Sequence, residues 1–342
     1  MGAVVTAPDA ATLEAGGAML EVEGLVKHFP VRRTLFQSLR GGLSVAVRAV
    51  DGVSFTVRKG EVFGVVGESG CGKTTMGRTI IRLLEPTSGS IRFEGTDIIK
   101  LSPDDMKKLR RKMQIIFQDP YESMNPRMDV YRIISEPLRI QEVAKSSDEA
   151  RAMVEGALVD VEMTPPDEYI SRFPHELSGG QRQRVAVARA LVLNPGFIVA
   201  DEPVSMLDVS IRGEILNLML NLSREKGVTF VYITHDLATA RHICDRIAVM
   251  YLGKIVEEGH TDDVVKHPLH PYTRALIGAV FVPDPRRKGL ELVMRGEVPN
   301  PVNPPSGCRL HPRCPLAKDI CRETEPEFAE RGRGHKVACH LA

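Results

Sequence analysis

No stretch of this 342-residue chain approaches the roughly 18 consecutive apolar residues that a membrane-spanning helix needs. The most apolar runs are short, and Ile198-Val199-Ala200 is followed at once by Asp201. Residues 1–19 lack the basic segment that begins a secretory signal, and they contain acidic side chains. We therefore expect a protein that is made and kept in the cytoplasm and that would need a partner for any role at a membrane.

The chain also has little net charge and no internal repeat. Its formal net charge is +1, which argues against a nucleic-acid-binding protein that works through bulk positive charge. The hydrophobic fraction of 43% and the charged fraction of 26% are ordinary for a globular protein, and the length allows one large domain plus a smaller one. The Ala-, Gly- and Thr-containing residues 1–19 are expected to form a flexible tail.

What the chain does have is a glycine-rich loop, Gly67-Glu68-Ser69-Gly70-Cys71-Gly72-Lys73-Thr74. It fits the pattern G-x-x-x-x-G-K-[ST] and lies between a predicted strand, Val62–Val66, and a predicted helix, Thr74–Leu84. Glycines let backbone N–H groups turn inward around phosphates, and the helix N-terminus adds partial positive charge. Lys73 would bridge the phosphates and Thr74 would offer its hydroxyl to Mg²⁺, whereas the Cys71 thiol is expected to be incidental.

A pair of carboxylates follows the apolar run Phe197–Ala200, which we predict to be a buried strand. Ligands of open α/β sheets bind at the carboxyl ends of the strands. Asp201 could therefore reach Mg²⁺ through water, and Glu202 is placed to orient or polarise an attacking water.

The predicted elements alternate between strands and helices, which indicates an α/β fold with a mainly parallel sheet covered on both faces. Residues of about 119–190 are expected to form a helical subdomain inserted into this core. The stretch Arg32–Gly42 is predicted to be a loop or a short helix, and Ile247–Val256 a hairpin that turns at Gly253. The remaining predicted elements are strands at Leu20–Val26, Val47–Val57, Ile91–Phe93, Met113–Phe117 and Val228–Ile233, and helices at Gln181–Leu193, Ser210–Glu225 and Leu237–Cys244.

Four of the six cysteines, Cys308, Cys314, Cys321 and Cys339, lie close to the C-terminus with the spacing C-x5-C-x6-C-x17-C. In a reducing compartment such a cluster indicates a metal site before it indicates disulfides. The paired C-x2-C knuckles of structural zinc sites are absent. Four thiolates suit either Zn²⁺ or a [4Fe–4S] cluster, and four unliganded thiols are the remaining alternative.

A second small-residue turn, Leu177-Ser178-Gly179-Gly180-Gln181, opens the predicted helix Gln181–Leu193. By itself it would be an ordinary N-cap or an anion site. Together with the phosphate loop and the acidic pair, it resembles the signature motif of ATP-binding cassette (ABC) proteins. In that family two cassettes face each other head to tail, and each signature loop covers the ATP held by the phosphate loop of the other. The resemblance implies an ATPase that works as a dimer and that has a P-loop ABC-type nucleotide-binding domain with an antiparallel β-subdomain.

Other positions extend the resemblance. Gln118 is similar to the family's Q-loop glutamine and His235 to its switch histidine, while Ser205–Asp208 resembles the D-loop, with Met206 where the family more often has Ala. Phe29 lies where the family has an aromatic residue that stacks on adenine, although a Phe after a strand is also a common core residue. The resemblance implies catalytic roles for Lys73, Gln118, Glu202 and His235, Mg²⁺ ligation by Thr74, Gln118 and Asp201, a D-loop role for Asp208, and ATP binding by Phe29, Gly67, Glu68, Ser69, Gly70, Cys71, Gly72, Lys73, Thr74, Thr75 and Asp201.

The C-terminal part resembles one branch of the family. The segment His267–Leu276 contains His270-Pro271-Tyr272-Thr273 and is similar to the "HPYT" segment of oligopeptide and dipeptide importer ATPases. The stretch Asn303–Pro315 continues into the cysteine tail of that branch, whose members are reported to hold an iron–sulfur cluster, so we favour [4Fe–4S] over Zn²⁺. A single cassette without a heptad run favours transport over the family's DNA- and ribosome-acting members, which are the alternative.

The resemblance therefore implies three regions: the tail (1–19), the nucleotide-binding domain (20–265) and an importer-type extension (266–342). It also implies an ATP-hydrolysing subunit, peripheral at the cytoplasmic face of the cell membrane, that drives import of di- and oligopeptides. Nickel chelates or oligosaccharides are alternative substrates. The implied partners are a second, related but distinct ATPase subunit, two transmembrane permease subunits and an extracytoplasmic substrate-binding protein, with no nucleic acid.

Overall fold

The computed structural model describes residues 17–31, 46–280, 293–332 and 334–342. The predicted loop at Arg32–Gly42 lies outside the described residues, as does most of the predicted tail 1–19. Within the described residues no helix combines the length and the apolar character that crossing a membrane requires.

The described strands are β1 (Ala18–Pro30), β2 (Ala46–Arg58), β3 (Val62–Val66), β4 (Ser88–Phe93), β5 (Thr96–Asp97), β6 (Met113–Ile116), β7 (Phe197–Asp201), β8 (Thr229–Thr234), β9 (Arg246–Tyr251), β10 (Lys254–His260), β11 (Ala329–Glu330) and β12 (Lys336–Val337). The described helices are α1 (Lys73–Ile80), α2 (Pro103–Leu109), α3 (Pro120–Ser123), α4 (Val130–Ile140), α5 (Ser147–Asp160), α6 (Gly179–Leu191), α7 (Val209–Lys226), α8 (Leu237–Ile243), α9 (Thr261–Lys266), α10 (Pro271–Val280) and α11 (Ile320–Glu323). Short 3₁₀ turns lie at Ile98–Lys100, Pro166–Glu168 and Pro174–Glu176.

The chain forms two compact units, of which the first contains Val57–Val62 and Lys100–Ile233 together with the described residues up to Met19. Its strands β6, β7 and β8 run parallel, with Met113 opposite Phe197 and Phe197 opposite Thr229. Every residue of β7 is buried, as the uninterrupted apolar run predicts for a central parallel strand.

Helices α3 to α6 of this unit form the predicted helical subdomain. Arg189 on α6 ties two of its neighbours to it, because its guanidinium donates to the Ser123 carbonyl at the end of α3 and to the Glu136 carboxylate on α4, each at 2.7 Å. An Arg fork can satisfy two oxygen acceptors at once, so a single side chain links three helices.

The second unit contains Leu20–Thr56, Phe63–Ile99 and Thr234–Ala342. One of its sheets has the strand order β2-β1-β4-β5, and β4 runs antiparallel to both of its neighbours. The other has the order β11-β12-β10-β9-β3, in which β9 and β3 are parallel and the remaining neighbours antiparallel. The prediction of an α/β cassette with parallel strands and an antiparallel β-subdomain is confirmed.

Most predicted boundaries agree with the structure to within a few residues, and Gly227, with φ of 68°, ends α7 as expected. The helix after the phosphate loop is shorter than predicted: it ends at Ile80, although we expected it to reach Leu84. Arg82 adopts the left-handed conformation, and the N–H groups of Leu83 and Leu84 fold back onto the Arg78 carbonyl. No glycine or proline marks this stop, so the sequence pattern could not locate it.

The C-terminal extension is built into the second unit. Its strand β12 pairs with β10, with Val337 opposite Glu257. Arg309 donates to the Leu252 carbonyl and to the Asp51 carboxylate. Burial raises the pKa of the Asp51 carboxyl, but the Arg309 guanidinium and a hydrogen bond from His28 outweigh burial, so the pKa is lowered. The proline- and cysteine-rich composition of this region carries no alternating pattern, and for that reason neither β11 nor β12 was predicted.

A fully buried carboxylate, Glu257, joins β10 to the extension. It accepts hydrogen bonds from the N–H groups of Leu269 (2.7 Å) and His270 (3.0 Å) and pairs with His335 Nε2 at 2.7 Å. His270 Nδ1 in turn accepts the Tyr272 N–H at 3.2 Å. Burial, with a smaller effect from Arg274 and against the attraction of Glu257, lowers the pKa of His270 from 6.5 to about 4.

This buried histidine predicts a loss of stability in mild acid. Between pH 6.5 and about 4 the unfolded chain binds a proton at His270 and the folded chain does not. The free energy of unfolding therefore falls as pH drops through this window, and this one group contributes at most about 1.4 kcal/mol per pH unit. We expect His270→Asn, whose amide oxygen can still accept the Tyr272 N–H, to have a shallower pH dependence in urea titrations. Parallel curves for the two proteins would contradict the assignment.

Candidate active site

The phosphate loop leaves the buried strand β3 and enters α1 at Lys73. Two of its glycines cannot be replaced without moving backbone. A Cβ on Gly72, whose φ is 109°, would lie 2.0 Å from the Ala49 carbonyl oxygen, and one on Gly67 would lie 2.2 Å from the Met250 carbonyl oxygen. The Gly253 N–H also donates to the Cys71 carbonyl at 2.8 Å. Chain segments behind the loop therefore set its shape.

Lys73 lies inside the curve of this loop and is almost fully buried. Its ammonium donates to the carbonyls of Gly67 (2.8 Å) and Glu68 (2.9 Å). Because the amine is held by the loop that surrounds it, little side-chain entropy remains to be lost when it contacts an anion. Cys71 is buried as well, and burial raises the pKa of its thiol, which favours the less reactive protonated form.

In the first unit the structure brings Gln118 and Glu202 together. Gln118 follows β6, Glu202 follows β7, and the Gln118 Nε2 donates to the Glu202 Oε2 at 3.0 Å. Asp201, the last residue of β7, is buried. Glu202 has a φ of 47°, an uncommon conformation for a residue with a side chain, and its N–H donates to the Ile233 carbonyl. Such local strain tends to cluster at functional sites.

Oxygen donors are what Mg²⁺ prefers, and the residues predicted to bind it supply them. These are the Thr74 hydroxyl on the first turn of α1, the buried Asp201 carboxylate and the amide oxygen of Gln118, whose nitrogen is already directed at Glu202. The donor chemistry of these residues therefore fits a magnesium ion.

The signature run begins α6 with reciprocal capping. Ser178 Oγ accepts the Gln181 N–H at 3.2 Å, and Gln181 Oε1 accepts the Ser178 N–H at 3.0 Å. Leu177 is buried, and its carbonyl accepts from Arg182 at 2.7 Å. A Cβ on Gly180 would lie 2.7 Å from the Ile211 side chain. The helix N-terminus and the exposed Ser178 are therefore held in one geometry, as an anion-binding end requires.

Three further predicted residues lie at the ends of elements. His235 is exposed between β8 and α8, next to Asp236, whose carboxylate caps α8 by accepting the Ala238 N–H at 2.8 Å. Asp208 is exposed at the N-cap of α7. Phe29 is 36% exposed near the end of β1, with the Lys27 ammonium 5.0 Å from its ring centre, so it is not a core residue.

The four tail cysteines lie near one another but are not arranged as metal ligands. The Cys308 N–H donates to the Cys321 carbonyl at 2.8 Å, and burial, with a further contribution from the three neighbouring thiols, raises the pKa of Cys308 to about 11. Burial also raises the pKa of Cys314 and of Cys339. Within the ranges that the structure describes, no group of three or more Cys, His, Asp or Glu side chains is placed to hold a metal ion. The arrangement of these side chains therefore does not support the expected four-cysteine metal site.

Two residues that contact the phosphate loop were not among the predicted site residues. The Tyr272 hydroxyl accepts the Glu68 N–H at 2.9 Å, and Arg313 donates to the Glu68 carboxylate. Tyr272 belongs to the HPYT segment and Arg313 directly precedes a tail cysteine, so both lay in motifs that the sequence singled out. Their distance along the chain from Glu68 gave no sign of the contact.

The fold and these motifs define the class of protein: a P-loop ATPase of the ABC cassette type. Residues 50–205 match the family model described as ABC transporter, and residues 256–321 match the one described as oligopeptide/dipeptide transporter, C-terminal region. Solved structures agree: the dimeric structure of the bacterial ABC transporter cassette MJ0796 is 30% identical, with a TM-score of 0.61 over 71% of this chain and 99% of that one. The cassette cbiO1 of Clostridium perfringens gives a TM-score of 0.61 at 29% identity over 73% of this chain and 91% of that one.

Curated relatives are similar over almost their whole length. A probable peptide ABC transporter ATP-binding protein of Sinorhizobium fredii is 51% identical over 324 residues, which are 95% of this chain and 90% of that one. The oligopeptide transport ATP-binding protein AppF of Bacillus subtilis is 49% identical over 94% of this chain and 97% of its own length. The chain belongs to the family of ABC transporter ATP-binding proteins with the oligopeptide/dipeptide transporter C-terminal region, and its activity is ATP hydrolysis.

Proposed function

We propose that this protein is the ATP-hydrolysing subunit of a membrane-bound importer of di- and oligopeptides. The observation that carries the proposal is the match of residues 256–321 to the oligopeptide/dipeptide transporter C-terminal region, in a chain whose relatives are named as peptide transport proteins. Since this subunit has no helix that could cross a membrane within its described residues, the import step would require permease partners.

The proposed roles begin with the loop that binds phosphate. Gly67 to Thr75 would surround the phosphates, with the Lys73 ammonium transferring its hydrogen bonds from the carbonyls of Gly67 and Glu68 to phosphate oxygens. Phe29, exposed beside Lys27, would stack on the adenine. Thr74, Asp201 and Gln118 would hold Mg²⁺, which when bound neutralises charge on the transferred phosphoryl group.

Glu202 would orient and polarise the attacking water. Gln118 donates to one of its carboxylate oxygens and so orients the side chain, and the backbone at Glu202 is left-handed, with a φ of 47°. His235 would contact the γ-phosphate and thus respond to its loss.

The signature run and the D-loop would act on a second cassette. Leu177, Ser178, Gly179, Gly180 and Gln181 would cover the ATP of a related but distinct partner subunit, with Asp208 at the same interface. Closure of the two cassettes on ATP would move permease subunits docked near Gln118 and the helical subdomain, and hydrolysis would reopen them. An extracytoplasmic binding protein would deliver the peptide, and this subunit would lie peripherally at the cytoplasmic face.

For the cysteine tail we propose a metal centre, a [4Fe–4S] cluster ahead of Zn²⁺. The support is chemical: four thiols lie within electrostatic reach of one another, and a bound cation lowers the pKa of the thiols that it coordinates. Because the side chains are not placed as ligands, binding would require them to reorient. We also propose the division into a tail (1–19), a nucleotide-binding domain (20–265) and an extension (266–342).

Glu202→Gln should separate binding from hydrolysis. The amide keeps the size of the side chain but cannot accept the proton of water, so we expect ATP binding to be retained and turnover to fall by on the order of 10²- to 10⁴-fold, with a closed cassette dimer accumulating. Nucleotide titration, phosphate release and gel filtration measure the three properties. Glu225→Gln, an exposed carboxylate at the end of α7, is the matched control. Near-normal turnover in Glu202→Gln would remove Glu202 from this role.

Isolation of the native complex tests the importer itself. We expect the subunit, captured anaerobically from membranes in mild detergent, to bring with it two permease chains, a second cassette and a binding protein that carries peptides. Mass spectrometry identifies both the proteins and the bound cargo. Cargo of nickel chelates or oligosaccharides would overturn the peptide assignment alone, whereas recovery with ribosomes or DNA-repair proteins and without membrane subunits would overturn the transport function.

Cys314→Ser tests the metal centre. If the tail binds a metal, this variant should lose iron or zinc and melt at a lower temperature while still binding ATP, because the phosphate loop is intact. Metal content and visible absorbance of anaerobically purified protein give the readout, and Cys244→Ser, which alters a buried thiol outside the tail, is the control. Equal iron and zinc content in wild type and Cys314→Ser would rule out the four-cysteine site.

A further inference from the structure

Glu68, the second residue of the phosphate loop, is held at its amide, its carboxylate and its carbonyl. Its N–H donates to the Tyr272 hydroxyl at 2.9 Å, its carboxylate accepts from Arg313 Nη1 at 3.0 Å, and its carbonyl accepts the Lys73 ammonium at 2.9 Å. Two of these three contacts come from the C-terminal extension, from positions more than 200 residues along the chain from Glu68. We call Glu68, Tyr272 and Arg313 the loop clamp.

The tyrosine of the clamp is held by burial, by a ring contact and by a backbone hydrogen bond. Tyr272 is fully buried, its ring contacts that of Tyr251 at a centroid distance of 4.7 Å, and its own N–H donates to His270 Nδ1. Burial raises the pKa of Tyr272, so the hydroxyl stays neutral and can accept the Glu68 N–H at any physiological pH. This packing therefore restrains the hydroxyl that accepts the Glu68 N–H.

The arginine of the clamp is equally constrained. Arg313 is 9% exposed, and its guanidinium lies 5.9 Å from the centre of the Tyr251 ring. The backbone N–H of Arg313 donates to the Leu310 carbonyl, and the backbone carbonyl of Arg313 accepts the Arg295 N–H at 3.0 Å. Both guanidinium amines face the Glu68 carboxylate, at 3.0 and 3.5 Å, which is the geometry of a charge-assisted pair.

The clamp affects the ATP site because Glu68 also contacts Lys73, through its carbonyl. The carbonyl that receives Lys73 and the amide that binds Tyr272 flank the same Cα, so a rotation of either peptide at Glu68 moves an acceptor of the phosphate-binding ammonium. Errors of about 1 Å in such positioning can cost on the order of a hundredfold in an enzymatic reaction.

We propose that Tyr272 and Arg313 are positioning residues for ATP hydrolysis, through which the C-terminal extension holds the phosphate loop in its nucleotide-binding shape. The proposal rests on the proposed use of Lys73 and the loop for ATP. It assigns a task to the HPYT segment and to the turn before Cys314 that differs from metal binding: each supplies one side chain to a single loop residue.

The test is a set of full-length variants assayed for nucleotide affinity and for the KM and kcat of ATP hydrolysis. Arg313→Gln and Glu68→Gln should each weaken ATP binding and raise KM, on the order of tenfold, because a charge-assisted contact is lost, with a smaller change in kcat. The double variant should be no worse than either single one, since both remove the same contact. Arg313→Lys, which keeps the charge, should recover part of the loss, and Tyr272→Phe should raise KM by a smaller factor.

Matched controls separate positioning from general destabilisation. Thr273→Val removes a buried hydroxyl of the same segment that makes no hydrogen bond to any residue in the described ranges, and Arg322→Gln removes an exposed charge from the same extension. Both should leave KM unchanged. Additive effects of Glu68→Gln and Arg313→Gln, or lowered melting temperatures with an unchanged KM, would overturn the clamp.

Lys73→Ala distinguishes failure of the clamp from failure of the proposed function. Wild-type protein should bind a fluorescent ATP analogue, and Lys73→Ala should not. If wild type binds no better than Lys73→Ala, the proposed use of the loop is wrong and the clamp falls with it. If wild type binds, Lys73→Ala does not, and Arg313→Gln matches wild type, only the clamp is wrong.

Discussion

The close approach of backbone to backbone behind the phosphate loop is the constraint on which the site depends. Gly67 and Gly72 lie so near the carbonyls of Met250 and Ala49 that no side chain fits at either position. These carbonyls belong to β9 and β2, so the strands behind the loop restrict its shape. The Lys73 ammonium is held within that shape, so its side chain loses little conformational entropy when it binds phosphate.

Hydrogen-bonded carboxylates hold other parts of the second unit together. Glu257 has its donors supplied by Leu269, His270 and His335, and Asp51 is paired with Arg309. Each pair joins a strand of the sheets to the extension. Buried carboxylates are tolerated only where hydrogen bonds and opposite charge offset the loss of water, so these contacts fix the extension in one position.

The elements that the sequence predicts well are those whose pattern is local. The run Phe197–Ala200 is apolar without interruption and is β7, and Gly227 ends α7 because the backbone there is left-handed. The motif residues could be found for the same reason: Lys73, Glu202 and Ser178 lie at junctions between strand, loop and helix that sequence spacing specifies. The roles that the resemblance gives them remain proposals.

What could not be predicted depends on contacts between distant segments. Nothing in the sequence near Arg82 indicates that α1 ends at Ile80. Strand β12 forms by pairing with β10, which is distant from it along the chain. The Glu68 contacts with Tyr272 and Arg313 close loops of more than 200 residues. The cysteine spacing predicted ligands, yet spacing along a chain says nothing about where the four side chains point.

Buried Glu257 has a consequence for the evolution of this architecture. If the chain ended at residue 265, the carboxylate would lose all three of its hydrogen-bonding partners from Leu269, His270 and His335. An unpaired buried charge costs roughly 3–5 kcal/mol, a large part of the stability of an ordinary domain. Loss of the extension by a single deletion would thus be disfavoured, because Glu257 in β10 would first have to be replaced by a residue that needs no hydrogen-bonding partners.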